Sequence, residues 1–206
     1  MSVSSRFFQV KRALISVYNK SGIVDFVREL SKLGIEILAT GETLKVLEKS
    51  GIPSVKHVSE VTKFPEILGG RVKTEHPKLI GGILAMKDKE EDMNELKKLG
   101  IKPIDMVVCN FYPFKKAINR GVNLKTALEN IDIGGPNLIR AAAKNFENVI
   151  VIVNPERYNQ VLQELKKKGD LSRETRSNLA IEAFKETARY DFTIYNFLEK
   201  TISPKL

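Results

Sequence analysis

The feature that most constrains this chain is an alternation of short apolar runs with amphipathic segments of helical period, established within the first sixty residues. Ala13-Leu14-Ile15-Ser16-Val17 is apolar, partly β-branched and too short for a buried helix, so it reads as a strand. After the polar turn Tyr18-Asn19-Lys20-Ser21, residues Ile23, Val24, Phe26, Val27, Leu30 and Leu33 recur at helical spacing up to Gly34, with Ser21 predicted as the N-cap. A second strand is expected over Ile35 to Ala39. The turn Thr40-Gly41-Glu42-Thr43 then leads into a helix to Lys49, and a third strand containing His57 spans Val55 to Val58. Strand, turn and crossover helix repeated in this way build an α/β fold with a mainly parallel central sheet flanked by helices.

The pattern lapses between Phe64 and Gly82, where Leu68-Gly69-Gly70-Arg71-Val72-Lys73-Thr74-Glu75-His76-Pro77 concentrates glycine and basic residues. An irregular stretch of that length inside one domain is expected to be a functional loop. Further strands are predicted at Gly82 to Ala85, Asp105 to Asn110 and Val149 to Val153. Helices are predicted over Glu90 to Leu99, near Asn123 to Asn130, and from the turn Asp132-Ile133-Gly134-Gly135 to Lys144. Two C-terminal helices begin about Glu156 and Ser172. The second is expected to reach Glu199 with Phe184, Ala188, Phe192, Tyr195 and Leu198 as its buried stripe. The organisation is a single domain over 1–206, with a core at about 10–155 and a helical part at about 156–200.

Lys plus Arg number 34 against 25 Asp plus Glu, and the net charge of +9 favours anionic partners. The one dense basic run, Lys166-Lys167-Lys168, closes a helical segment before Gly169, where cations suit the helix dipole. Aromatic residues do not interleave with basic ones, so no nucleic-acid partner is expected. No apolar run is long enough to cross a membrane, and a lone Cys109 allows no internal disulfide. A cytoplasmic setting is the expectation. One cysteine and two scattered histidines give no metal-ligand spacing, and the glycine motifs of NTPases, dinucleotide enzymes and serine hydrolases are missing from the sequence.

Four places carry chemistry. The turns Ser16 to Ser21 and Thr40 to Thr43 offer hydroxyls, Lys20 and free N–H groups at helix starts. Each is explicable as an ordinary cap, but two on neighbouring strands suggest a phosphate cradle. Arg71, Lys73 and Thr74 gather cations in a loop with no packing need for them, and strand-like alternation there would aim Arg71 and Lys73 the same way. Asp132 before Gly134-Gly135 sets a carboxylate beside helix N–H groups, suited to a polar substrate or an oxyanion, or else to a simple turn. Lys144 by itself reads as a C-terminal helix cation, and Cys109 as a core residue rather than a nucleophile.

Taken together, the segments at 13–20 and 40–41, Gly69-Gly70-Arg71-Val72-Lys73-Thr74 before His76-Pro77, Cys109-Asn110-Phe111-Tyr112-Pro113-Phe114, and Asp132-Ile133-Gly134-Gly135-Pro136 through Arg140-Ala141-Ala142-Ala143-Lys144-Asn145 resemble inosine monophosphate (IMP) cyclohydrolase. In the family this is the N-terminal domain of a bifunctional purine-biosynthesis enzyme, with a methylglyoxal-synthase-like fold. The resemblance implies ring closure of 5-formamidoimidazole-4-carboxamide ribonucleotide (FAICAR) to IMP with loss of water, without metal or organic cofactor. It implies that Lys73 and Tyr112 move the proton of the attacking nitrogen, while Asp132, Lys144 and the N–H groups of Ile133 and Gly134 orient and polarise the formyl group. Ser16, Lys20, Thr40, Gly41, Thr43, Arg71 and Thr74 would surround the 5′-phosphate and ribose. A homodimer is expected, free-standing, with the formyltransferase on a separate protein.

Three positions depart from the family pattern: Glu42 for a glycine, Glu75 for a leucine and Ile80 for a histidine. Two other readings share the fold. Methylglyoxal synthase lacks the R-V-K-T-x-H-P and I-D-I-G-G-P segments, and a non-catalytic nucleotide-sensing module would have no use for Lys73, Tyr112, Asp132 and Lys144 together.

Overall fold

The computed structural model describes residues 9–53 and 55–202. Five strands, β1 (Arg12–Val17), β2 (Glu36–Ala39), β3 (Val55–His57), β4 (Met106–Asn110) and β5 (Ile150–Ile152), form one sheet in the order β3-β2-β1-β4-β5, every pairing parallel. The first two crossovers are α1 (Ile23–Lys32) and α2 (Gly41–Lys49). Between β3 and β4 lie α3 (Val58–Thr62), α4 (Pro77–Leu84) and α5 (Glu90–Lys98). Beyond β4 come α6 (Phe114–Ile118), α7 (Leu124–Glu129) and α8 (Gly134–Lys144), and beyond β5 come α9 (Tyr158–Lys168) and α10 (Arg173–Ile202).

Helices α1, α2 and α9 pack together, while α8 lies on β4 and β5 and is covered by α10 and α4. Strands buried on both faces need apolar residues throughout, which is why Ala13, Leu14, Ile15, Met106, Val107, Val108 and Cys109 are all sealed from solvent. At the sheet's amino edge Asp105 ties the layers, accepting the N–H groups of Lys11 and Arg12 at 2.8 Å and pairing with Lys87 at 2.6 Å. The central strand β1 has its sequence neighbour β2 on one side and β4 on the other. The chain direction across the sheet therefore reverses there, and a crevice opens at the carboxyl ends of β1 and β4.

Four local expectations need correction. The strand at Gly82 to Ala85 is instead the end of α4, because the helix starts earlier: the His76 ring accepts the Lys78 N–H at 3.1 Å, and Pro77 supplies the fixed φ of a first helical residue. Ser21 does not cap α1; Gly22, at φ 68°, holds that position. Strand β3 stops at His57, whose side chain caps α3 in a reciprocal box with Glu60. The fourth concerns α10. Its stripe is not buried: Phe184 is 41%, Phe192 64% and Tyr195 53% exposed, while Leu179, Ala183, Thr187 and Tyr190 face the core.

Candidate active site

The crevice is a cavity of about 970 Å³, walled by the turns after β1 and β2, the loop between α3 and α4, the segment after β4 and the start of α8. Of the thirteen residues expected in the site, twelve line it: Ser16, Lys20, Thr40, Gly41, Thr43, Arg71, Lys73, Thr74, Tyr112, Asp132, Ile133 and Gly134. Lys144 does not. It is exposed at the last turn of α8, the whole helix away from Asp132, or roughly 15 Å at 1.5 Å per residue. A second groove of about 1110 Å³ adjoins across the Tyr18–Lys20 turn and runs along α10. It contains neither Lys73, Tyr112 nor Asp132, so the smaller cavity holds the chemistry.

Each wall has a structural cause. Tyr18 N–H donates to the Asn110 carbonyl at 3.0 Å and Asn19 N–H to the Asn110 side chain at 2.7 Å, fastening the first turn to the end of β4. The Tyr18 and Tyr112 rings meet edge to face at 4.8 Å. In the second turn Gly41, at φ 55°, opens α2, whose first N–H groups have no intrahelical partners. The hydroxyls expected there face inward. Thr43 Oγ accepts the Val17 N–H and donates to the Val17 carbonyl, both at 3.0 Å, and Thr40 donates to Glu66 at 2.7 Å. Lys20 Nζ folds onto its own turn, 3.1 Å from the Val17 carbonyl. Glu42, which stands where the family pattern has glycine, is exposed and paired with Lys45 at 2.6 Å.

The basic loop is not strand-like. Leu68, Gly69 and Gly70 all have positive φ and fold residues 67–72 into a tight turn closed by the Ile67–Val72 bridge. Arg71 and Lys73 consequently point apart, Arg71 to Glu129 at 3.3 Å and Lys73 to Glu66 at 3.6 Å. Gly70 is favoured by its φ of 87°, and a Cβ there would lie 2.8 Å from Lys73 Cε and push that flexible side chain aside. Beyond Lys73, Glu75 accepts the Lys73 and Thr74 N–H groups at 2.9 and 3.1 Å and lies against Gly134, where a Cβ would meet its carboxylate at 2.5 Å. The loop can approach α8 only because residue 134 has no side chain.

Asp132 accepts the Gly135 N–H at 2.8 Å, and its own N–H donates to the Tyr190 hydroxyl at 2.7 Å. Burial pushes its carboxyl above the ordinary aspartate range. Glu75 adds to the rise, while the Gly135 bond and Lys73 oppose it. The Tyr190 hydroxyl is pushed up to about 12 by burial. Beneath Asp132, Cys109 is sealed, and burial raises its thiol far from the range of a nucleophile. The arrangement thus places an ammonium, a phenol and a half-buried carboxyl around helix N–H groups, the parts needed to move protons and steady an oxyanion. Sequence reasoning missed Glu66 and named Glu75 only as a departure from the family pattern. The only signal was that an anion-attracting loop carried two carboxylates of its own.

Residues 22–137, more than half of the chain, match the family described as MGS-like domain, and residues 142–205 match AICARFT/IMPCHase bienzyme. The chain is similar to the bifunctional purine biosynthesis protein PurH of Persephonella marina (50% identical over 92% of this chain), of Thermoanaerobacter sp. (53% over 91%) and of Caldicellulosiruptor bescii (54% over 92%). It spans 37% of the length of each of these relatives. The crystal structure of ForH superposes with a TM-score of 0.83 at 33% identity, covering 94% of this chain and 100% of ForH. A parallel sheet with its crevice at the β1–β4 reversal, matched in sequence over residues 22–137, makes this chain a member of the MGS-like domain family whose C-terminal part carries AICARFT/IMPCHase sequence.

Proposed function

We propose that the protein is an IMP cyclohydrolase, closing FAICAR to IMP and water. The observation that carries this reading is the meeting of Lys73, Tyr112 and Asp132 around one cavity, in a chain at least half identical to PurH proteins over more than nine-tenths of its length. The carboxamide nitrogen of the substrate attacks the formyl carbon of the same molecule, so the site has only to hold the reactive rotamer and manage protons. Lys73 and Tyr112 take the proton from the attacking nitrogen as the C–N bond forms. The N–H groups of Ile133 and Gly134 face the oxygen that becomes negative and that takes up the proton removed from the attacking nitrogen. As the C–O bond breaks, the carboxyl of Asp132, raised by burial, gives that oxygen a second proton and recovers one from the formamide nitrogen, so that water leaves and the ring C=N bond forms. The 5′-phosphate lies at the start of α2, near Ser16, Lys20 and Arg71, held by N–H groups rather than by the hydroxyls of Thr40 and Thr43, which are engaged elsewhere. Lys144, which does not line the cavity, is given no step in this scheme.

Adding FAICAR to the purified protein and following IMP by ultraviolet absorbance tests the activity, and a rate no higher than that without protein would end the reading. We further propose that the protein works in the cytoplasm, which suits the free thiol of Cys109, and that it is a homodimer joined through the outer face of α10. Ile181, Phe184, Ala188, Phe192 and Tyr195 form an apolar stripe nearly symmetric about Ala188. A second, antiparallel copy of α10 would set Phe184 beside the partner's Phe192 and Ile181 beside the partner's Tyr195, with the small Ala188 at the crossing.

A further inference from the structure

Glu66 touches three side chains at the edge of the cavity. It accepts the Thr40 hydroxyl at 2.7 Å, lies 3.6 Å from Lys73 Nζ and lies 3.6 Å from His57 Nε2. The His57 Nδ1 accepts the Ser59 N–H at 3.1 Å, which leaves the ring proton on Nε2, facing Glu66. The Glu66 side chain is 30% exposed. Burial alone would raise its carboxyl, but the Thr40 bond, the Lys73 charge and the facing His57 ring outweigh that and hold it below the ordinary glutamate range, so it is ionised at neutral pH.

Its position relative to α2 gives this cluster a meaning. Lys73 Nζ lies 3.6 Å from where a Cβ on Gly41, the first residue of α2, would stand. That is the end of α2 whose free N–H groups and dipole attract a phosphate. A long, flexible ammonium there is drawn toward the dianion and becomes one more ground-state contact, unable to serve the ring. A carboxylate on its other side opposes that pull. The same carboxylate holds the single proton of the Thr40 hydroxyl, which must leave Glu66 before it can be donated to phosphate.

We propose that Glu66 is a positioning residue that holds the Lys73 ammonium and the Thr40 hydroxyl away from the phosphate and so keeps Lys73 available to the reacting ring. The assignment of Lys73 to proton transfer rests on the cyclohydrolase reading, whereas the effect of Glu66 on phosphate does not. Wild type, Glu66→Gln and Glu66→Asp are titrated calorimetrically with inorganic phosphate, and their cyclisation kinetics and melting temperatures are measured. Glu66→Gln should bind phosphate roughly 3–10-fold tighter, because a nearby negative charge is gone, while kcat falls about 10-fold or more. Glu66→Asp keeps the charge. It should return phosphate affinity to within about twofold of wild type and recover part of kcat. A residue that merely braced the loop would lower phosphate affinity, kcat and melting temperature together, and that outcome overturns the proposal. Unchanged phosphate affinity in Glu66→Gln, or tighter binding with unchanged kcat, overturns it as well. Should wild type fail to cyclise FAICAR, the proposed activity falls and the phosphate titration still decides what Glu66 does.

Discussion

Replacing Thr43 by valine separates two roles for one residue, because its pattern in the sequence suggests phosphate binding and its geometry shows a brace between β1 and α2. Valine has nearly the same shape and helix propensity, so what changes is the hydroxyl. Thr43 is buried, and its Oγ accepts the Val17 N–H and donates to the Val17 carbonyl, both at 3.0 Å. After substitution the carbonyl keeps a donor in Lys20 Nζ at 3.1 Å, while the N–H loses its acceptor. An orphaned buried donor costs about 1–3 kcal/mol, so a loss near 2 kcal/mol is expected. For a domain of this size that is a fall of about 4–8 °C in melting temperature. Differential scanning calorimetry reads the fall, and isothermal titration with IMP should find affinity within about threefold of wild type, since the hydroxyl proton does not face the cavity. A melting temperature within a degree of wild type together with a loss of IMP affinity of tenfold or more would show that Thr43 turns to the phosphate, and the brace would be refuted.

Lys73→Ala and Tyr112→Phe should each lower kcat by roughly 10²-fold or more while the dissociation constant of IMP changes little, the trace of lost acid–base catalysis; steady-state kinetics with parallel IMP titration check this, and a KM-dominated loss would assign either residue to binding. Asp132→Asn should abolish cyclisation yet raise the melting temperature at pH 7. The folded carboxyl titrates above its unfolded value, so its contribution to stability is present at low pH and is lost as pH rises through the folded pKa. Melting curves from pH 3 to 8 should show the gain from asparagine disappearing below about pH 4, where both side chains are neutral; a variant less stable than wild type at pH 7 contradicts the assignment of burial as the cause.

The sheet was largely legible in the sequence because β1, β2, β4 and β5 are short, mainly apolar runs bounded by turn residues, and burial on both faces leaves such runs no other use, whereas the edge strand β3, Val55-Lys56-His57, is partly exposed. The cavity was largely legible too, since turns at strand ends fall on one edge of a parallel sheet whatever the details of packing. Directions inside the loop were not. Three successive left-handed residues, one of them Leu68, broke the alternation from which Arg71 and Lys73 were aligned, and Thr40 and Thr43 turned inward to partners in other segments. Lys144 was placed by resemblance alone, and α8 sets it at the far end of the helix from Asp132, outside the residues that line the cavity.

The α10 stripe was misread for a different reason, which leads to the last prediction. Periodicity identifies an apolar face but not what covers it, and α10 has two: Leu179, Ala183, Thr187 and Tyr190 against the core, and a second stripe about a third of a turn away. Exposed apolar area of this kind marks an interaction surface. Aromatic side chains of about 150–250 Å² each, between 41% and 64% exposed, with Ile181 at 66%, supply on the order of 800 Å² across two copies of the helix, and the flanking charged stems bring the total near the 1,200 Å² at which specific interfaces begin. A dimer of micromolar strength is therefore expected. Sedimentation equilibrium from about 1 to 100 μM should show a mass rising to twice the 23.2 kDa of the chain. Phe192→Glu tests the surface itself, because Phe192 is 64% exposed and, among the rings of the described residues, meets only that of Tyr195, so a charge there spares the core and should hold the protein monomeric at every concentration. Wild type that stays at monomer mass at 100 μM, or a Phe192→Glu variant that dimerises as wild type does, would remove α10 as the joint between copies.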